Sequence, residues 1–472
     1  MAGMNVRLAF AILSSACWSA FQHGYNTGVP NAPQSVMSEW LQKEALSGTN
    51  LTLPADKDPR VTTVWSVIVS IYCVGGMIGG TLTGIIADRF GRKGGLLLNN
   101  VLVFIGAGLE GGAKAANSAE MLIVGRLLIG VNSGLNAGLA PLYLSEISPV
   151  ALRGSIGTVY QLVITITILL SQALGLGSVL GTPEGWPYLL ALAVVPAILQ
   201  CATLPLCPES PKYLLLNKGQ ELHAQRALNW LRGDVAVHGE MEEMHQEAEK
   251  NKVSKKVTLR ELLSNQSLRA PLTIATVVMI AQQLTGINAV IFFSTDIFRN
   301  VKLGAANAQY ATLGMGAMNV VMTLVSLVLV EKAGRKTLLL TGFSGMLVCT
   351  IALRVANFYT DHTWVSYACI ALVILFVVMF AVGPGSIPWF LVTELFNQSA
   401  RPAASAVAVT VNWMANFIVG LSFMPLSTLI GADVYVIYAV LQLIFILFIY
   451  YKVPETKNKT IEEISAMYRQ QM

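Results

Sequence analysis

The stretch Ala281 to Ser294 reads AQQLTGINAVIFFS and follows the apolar run Leu272 to Ile280. Gln282, Gln283, Thr285 and Asn288 therefore sit inside a segment that otherwise reads as membrane-buried. An amide in hydrocarbon costs roughly 2 to 7 kcal/mol unless it finds a partner, so this run of polar side chains needs a shared reason. Gly286, with no Cβ, lets the backbone bend where they lie. Interrupted membrane helices are tolerated where they line a cavity. One reading is interhelical hydrogen bonding, a common use of Asn and Gln between membrane helices. The other is a polar cavity, and the rest of the chain favours one that holds something rich in hydroxyl groups.

Charged residues make up 12% and hydrophobic residues 54% of the 472 residues, and the mean hydropathy is +0.60. A soluble domain carries about twice that share of charge, so the chain reads as an all-α membrane protein. Apolar runs of about 20 residues fall at Leu8 to Val29, Val61 to Ala87, Gly95 to Gly112, Met121 to Leu144, Ile156 to Leu180 and Pro187 to Leu206. A second set follows at Leu272 to Phe298, Tyr310 to Val330, Thr337 to Asn357, Val365 to Leu391, Ala403 to Leu426 and Val434 to Tyr451. The expectation is twelve transmembrane helices in two pseudo-symmetric six-helix bundles, residues 1–206 and 268–452. Between them lies a cytoplasmic helical linker, 207–267, and after them a tail, 453–472.

Arg89, Arg92, Lys93, Arg153, Lys332, Arg335, Lys336, Arg401 and Lys452 all fall on one side of this arrangement, with Arg7 and the central loop. By the positive-inside rule that side is the cytoplasm, which places both termini inside. The bias accounts for the net charge of +5 without a nucleic-acid partner. All six cysteines lie in or beside spans, which argues against a disulfide scaffold and against a zinc site. No cofactor is called for, and no cleaved signal peptide is evident, the first span serving as the targeting signal. Of the sequons, those at Asn265, Asn397 and Asn458 fall inside, whereas Asn50 lies in the long outer loop and is the expected glycan carrier.

The chain repeats itself. Asp88-Arg89-Phe90-Gly91-Arg92-Lys93 is answered by Glu331-Lys332-Ala333-Gly334-Arg335-Lys336, Glu146 and Arg153 by Glu394 and Arg401, and Pro208-Glu209-Ser210-Pro211 by Pro454-Glu455-Thr456-Lys457. The offsets are 243, 248 and 246 residues, as expected of a duplicated unit with its site between the halves. Recurrence in pairs favours salt bridges between helix ends over loops that merely meet lipid headgroups.

These motifs, with Gln282-Gln283-Leu284-Thr285-Gly286-Ile287-Asn288, resemble the sugar-porter branch of the major facilitator superfamily. More narrowly, Gly24-Tyr25-Asn26-Thr27-Gly28-Val29, Glu146-Ile147-Ser148-Pro149 with Arg153-Gly154, and Gly383-Pro384-Gly385-Ser386-Ile387-Pro388-Trp389 are similar to animal facilitative glucose transporters. The likeness runs from the first span to the last turn. It implies passive transport of a hexose, most readily D-glucose, through a plasma membrane. It also implies a linker whose helices latch the two halves at the cytoplasmic face.

A monosaccharide presents hydroxyls that both donate and accept, so its site needs amides and a flat apolar surface. The resemblance carries sugar contact onto Gln161, Gln282, Gln283, Asn288, Asn319, Trp389 and Asn412. Thr165 lies one turn beyond Gln161 on the same helix face. Read alone, Asn319 and Asn412 fit interhelical bonding as well, and Trp389 fits an interfacial anchor. Gating falls to Phe292, Phe293, Gly383, Pro384 and Pro388. Phe292 and Phe293 stand where the family usually has tyrosines, and Ala381 stands where many glucose carriers have Glu, which leaves fructose or broad hexose acceptance open. The cytoplasmic network comprises Arg92, Glu146, Arg153, Glu331, Arg335, Glu394 and Arg401. It is expected to break as the inside opens.

Rival readings have weaker footing. Proton-coupled relatives place Asp where this chain has Asn26, and an amide cannot cycle a proton; His23 and Glu110 are the fallback groups. Neither a nucleotide-binding loop nor a His-Glu-x-x-His motif is present, which argues against an enzyme or an ATP-driven pump. A sugar sensor that binds without transport is barely addressed by sequence, and the absence of long cytoplasmic tails to signal with argues against it.

Overall fold

The computed structural model describes residues 3–46, 53–149, 152–253, 257–290, 297–298, 304–359, 361–396, 400–456 and 466–467. Asn50, Phe292 and Phe293 lie outside the described residues, as do the side chains of Arg153, Glu331, Glu394 and Arg401. Among the described residues the chain is helical throughout, with no strand. Seven helical stretches there are long and apolar enough to cross a membrane. Two of them, Pro59–Gly112 and Ala403–Lys452, run to 54 and 50 residues. At about 1.5 Å per residue each exceeds twice the roughly 30 Å of a hydrocarbon core.

The helices are α1 (Val6–Ile12), α2 (Trp18–Gly28), α3 (Gln34–Trp40), α4 (Pro59–Gly112), α5 (Ala119–Ile147), α6 (Arg153–Leu174), α7 (Trp186–Ala191) and α8 (Val194–Thr203). The central segment forms α9 (Glu221–Leu231), α10 (His238–Val253) and α11 (Leu259–Ser264). Then come α12 (Gln266–Leu284), α13 (Ala305–Ala333), α14 (Arg335–Ala356), α15 (Thr363–Val382), α16 (Ile387–Leu395), α17 (Arg401–Ile430) and α18 (Val434–Lys452). We refer to α1–α8 and α12–α18 as the first and second halves.

Where the sequence reads single spans, the structure often shows interrupted ones. A π turn over Leu13–Cys17 joins α1 to α2. The segment Val365 to Leu391 divides into α15 and α16, because Pro384 supplies no N–H and Gly383 and Gly385 continue the turn. The expected span Ile156 to Leu180 stops at Leu174, where the Leu180 N–H turns back to the Leu174 carbonyl. Thr285 ends α12, and Gly286 follows at φ +99, a conformation glycine adopts at little cost.

The repeated corners match in detail. Gly91 breaks α4 at φ 79 and ψ 177, and Gly334 parts α13 from α14 at φ 85 and ψ 175. After each glycine a carboxylate caps the new helix start: Glu209 accepts from the N–H groups of Arg92 (3.1 Å) and Lys93 (3.0 Å), and Glu455 from those of Arg335 (2.9 Å) and Lys336 (3.2 Å). An anion at a helix N-terminus satisfies otherwise unpaired donors and meets the positive end of the dipole. The linker helix α9 docks on the first half, and α10 packs on the linker itself. Asn5 Nδ2 donates to the Leu231 carbonyl (2.9 Å), and Arg232 reaches the Ile147 carbonyl (2.8 Å). The short α11 lies against α12 and α17 instead. The halves meet chiefly along α4 with α17 and along α6 with α13.

Candidate functional site

Four of the amides singled out from sequence converge. Gln282 Nε2 donates to the carbonyls of Pro384 (3.0 Å) and Gly385 (2.9 Å), which the α15–α16 break leaves free. Asn412 Nδ2 donates to Gln282 Oε1 (2.8 Å) and to the Met279 carbonyl (3.2 Å), while Gln283 Nε2 donates to Asn412 Oδ1 (3.1 Å). Asn288 Nδ2 donates to Gln283 Oε1. One cluster thus ties α12, its continuation beyond Gly286, the α15–α16 break and α17. Its members are enclosed, with exposures of 2% for Gln282, 7% for Gln283, 8% for Asn288 and 4% for Asn412. Donors and acceptors are matched within it, so a hydroxyl that both donates and accepts can replace an internal bond at little net cost.

The remaining candidates stand around this cluster. Trp389, at the start of α16, is half-buried and packs against the same apolar core. Pro388 occupies the first turn of that helix, where its missing N–H costs nothing. Asn319 is buried on α13, and two turns on, Ser326 donates to the Val382 carbonyl at 3.0 Å. Gln161 is half-buried on α6. Neither Gln161 nor Asn319 is hydrogen-bonded to the amide cluster among the described residues.

What joins Gln161 to Asn412 is a set of rings of which sequence reading singled out His23 alone, and only as a fallback proton group. His23 Nδ1 lies 2.9 Å from the Tyr160 hydroxyl, and the His23 ring stacks on Trp413 at 5.6 Å. Tyr72 meets Trp413 edge-on at 5.8 Å, and its hydroxyl donates to Ser133 Oγ at 2.7 Å. Tyr160 precedes Gln161, and Trp413 follows Asn412. Adjacency to those amides was the available signal. The glycine stripe of α4 makes room for the contact, since a Cβ on Gly76 would strike the Trp413 indole, while Gly75 and Gly79 abut the α5 backbone. Behind the rings, Glu110 is fully buried and its carboxylate oxygens accept no hydrogen bond among the described residues. Arg126 donates to the Asn26 carbonyl (2.9 Å) and lies 4.6 Å over the Tyr72 ring.

The two ends of the interface differ. At one, Gln309 of α13 bridges to the first half, donating to the Ala32 carbonyl (3.1 Å) and accepting from the Gly177 N–H (3.0 Å). At the other, contact along α4 and α17 thins: a Cβ on Gly80 would touch Val409 at 3.1 Å, and one on Gly84 would meet nothing within 4 Å. Near that end Arg92 pairs with Glu146 at 2.9 Å within the first half, and Ser210 also donates to Glu146.

A family model described as sugar (and other) transporter matches residues 12–468. The chain belongs to this family. Facilitated glucose transporter member 1 of Gallus gallus is 45% identical over 475 residues, covering 99% of this chain and 94% of its own. Member 3 of Canis lupus familiaris is 44% identical over 469 residues, with 99% and 94% covered. The xylose transporter XylE from E. coli, in a partially occluded inward-open conformation, superposes with a TM-score of 0.79 at 26% identity, covering 97% of this chain and 100% of that one. As a sugar transporter of the major facilitator fold, the protein is an integral membrane carrier and not an enzyme.

Proposed function

We propose that the protein carries a hexose, D-glucose first, passively across the plasma membrane by alternating access. The observation that carries this reading is the single amide cluster formed by Gln282, Gln283, Asn288 and Asn412 against the α15–α16 break. Gln161, Asn319 and Trp389 complete the sugar site from α6, α13 and α16. On this reading the chain crosses the membrane twelve times in two six-helix bundles, 1–206 and 268–452, with the linker 207–267, the tail 453–472 and both termini cytoplasmic. In that orientation the Gln309 bridge closes the outer end and the halves part toward the cytoplasm. Gly383, Pro384 and Pro388 supply the hinge on α15–α16, with Phe292 and Phe293 the outer gate. Arg92, Glu146, Arg153, Glu331, Arg335, Glu394 and Arg401 form the network that holds the inside shut in the outward-facing state. Asn50 carries the glycan. The 44 to 45% identity with facilitated glucose transporters supports the substrate class and the passive mode. Ala381, buried at the end of α15, contributes no carboxylate and favours breadth among hexoses.

Purified protein in liposomes should take up labelled glucose saturably without ATP, and labelled fructose more weakly. Saturable binding with no passage into the lumen would instead identify a sensor.

A further inference from the structure

Both halves interrupt their first helix, and both interruptions are met by a glutamine from the last helix of the same half. In the first half the π turn Leu13–Cys17 redirects backbone bonding, the Trp18 N–H turning to the Ser15 carbonyl. Gln200 of α8 fills the gap, its Nε2 donating to the carbonyls of Ser15 (2.9 Å) and Ser14 (3.3 Å) and to Ser19 Oγ (2.9 Å). Asn100 of α4 holds the other end of that amide, Nδ2 to Oε1 at 3.0 Å. In the second half the break at Gly286 releases the Thr285 carbonyl, and Gln442 of α18 donates to it at 2.9 Å. The same Nε2 lies 3.0 Å from Thr350 Oγ1 on α14. Gln200 and Gln442 are 242 residues apart, and Asn100 and Thr350 are 250 apart, close to the offsets of the repeated corner motifs. Both glutamines are sealed from solvent, at 2% and 0% exposure.

We infer that Gln200 and Gln442 are positioning residues, a repeated pair that fixes where each half's first helix is interrupted. A carbonyl released in hydrocarbon must be re-satisfied by a neighbour, so removing the donor shifts or anneals the break. One residue more or less in a helix turns everything beyond it by about 100°. In α2 that rotation would move His23 and the Asn26 carbonyl off Tyr160, Trp413 and Arg126. Beyond Gly286 it would move Asn288 off Gln283. The pair is unequal: Gln200 uses both ends of its amide, whereas Gln442 Oε1 has no hydrogen-bond partner among the described residues. The brace on α12 is therefore the looser, on the helix that carries most of the amide cluster.

The test rests on the transport reading and replaces each glutamine by methionine, which keeps length and volume and removes the donor. Gln442→Met should raise KM for glucose uptake about tenfold with little change in kcat. Gln200→Met should lower kcat about tenfold with KM nearly unchanged. Amide hydrogen exchange should quicken at 286–290 in the first variant and at 14–19 in the second, a readout that needs no substrate. Deleting Ser14, which lies within the π turn, makes the π turn an α turn with downstream register intact. That deletion should restore transport, or folded yield if folding fails, in the Gln200→Met background. Unchanged KM and exchange in Gln442→Met, or a Ser14 deletion that deepens the Gln200→Met defect, would overturn the assignment. Wild-type protein that moves no hexose would refute the transport reading alone, leaving exchange to judge the pair.

Discussion

The two faces that meet at the centre of the molecule are built from different chemistry. The second half offers amides: Gln282, Gln283, Asn288 and Asn412 bond to one another and to the Pro384 and Gly385 carbonyls. The first half offers rings and a close backbone: His23, held by Tyr160, and Tyr72 meet Trp413, which enters a notch that Gly76 leaves open. Amides can trade internal bonds for sugar hydroxyls, whereas stacked rings give a dry surface that can close and separate with few hydrogen bonds to break. On the proposed reading, binding falls mainly to the second half and closure mainly to the first.

The most severe way to break this comparison is Gly76→Leu. No rotamer of leucine avoids the indole, so α4 and α17 must part, and transport should fall at least tenfold in tracer uptake while glucose still binds. Loss of binding together with transport would place the sugar on the ring side. Next comes Gln282→Leu, which strands the Asn412 donor and two carbonyls. Glucose binding should weaken by about 1 to 3 kcal/mol, read as a rise in Kd, and an unchanged Kd would remove Gln282 from the site. The smallest effect sharpens the comparison where the halves agree. Gly91→Ala and Gly334→Ala each force a Cβ into a backbone region open essentially to glycine and against the capping carboxylate, and should cost a similar amount, about 1 to 3 kcal/mol in thermal unfolding. A cost at only one corner would mean that the matching backbone angles conceal different roles.

The sequence made much of this legible. Polar residues in an apolar run have few explanations, so Gln282, Gln283 and Asn288 stood out, and Gly286 marked the break that the structure places at φ +99. The corner repeat was equally plain, because Gly91 and Gly334 each need a backbone region that other residues avoid. The choice between interhelical bonding and a cavity was less legible, since the same amides bond across helices in this conformation and are also of the kind that can donate to and accept from hydroxyls. The π turn at Leu13–Cys17 left no local mark, being made by Gln200 from far along the chain. Trp413 and Tyr160 looked like ordinary apolar residues, because Tyr160 meets His23 only through the packing of α2 on α6, and Trp413 meets it only once the halves are assembled.

Passive carriage by two halves that open in turn is tested most directly in proteoliposomes holding a sustained pH difference, by following labelled glucose to its final distribution. Glu110 and His23, the groups that could serve a proton-driven carrier, make this the decisive contrast. The account predicts equal final concentrations inside and out, reached at the same initial rate whichever side is acidic. Accumulation above the external concentration when the outside is acidic would contradict it.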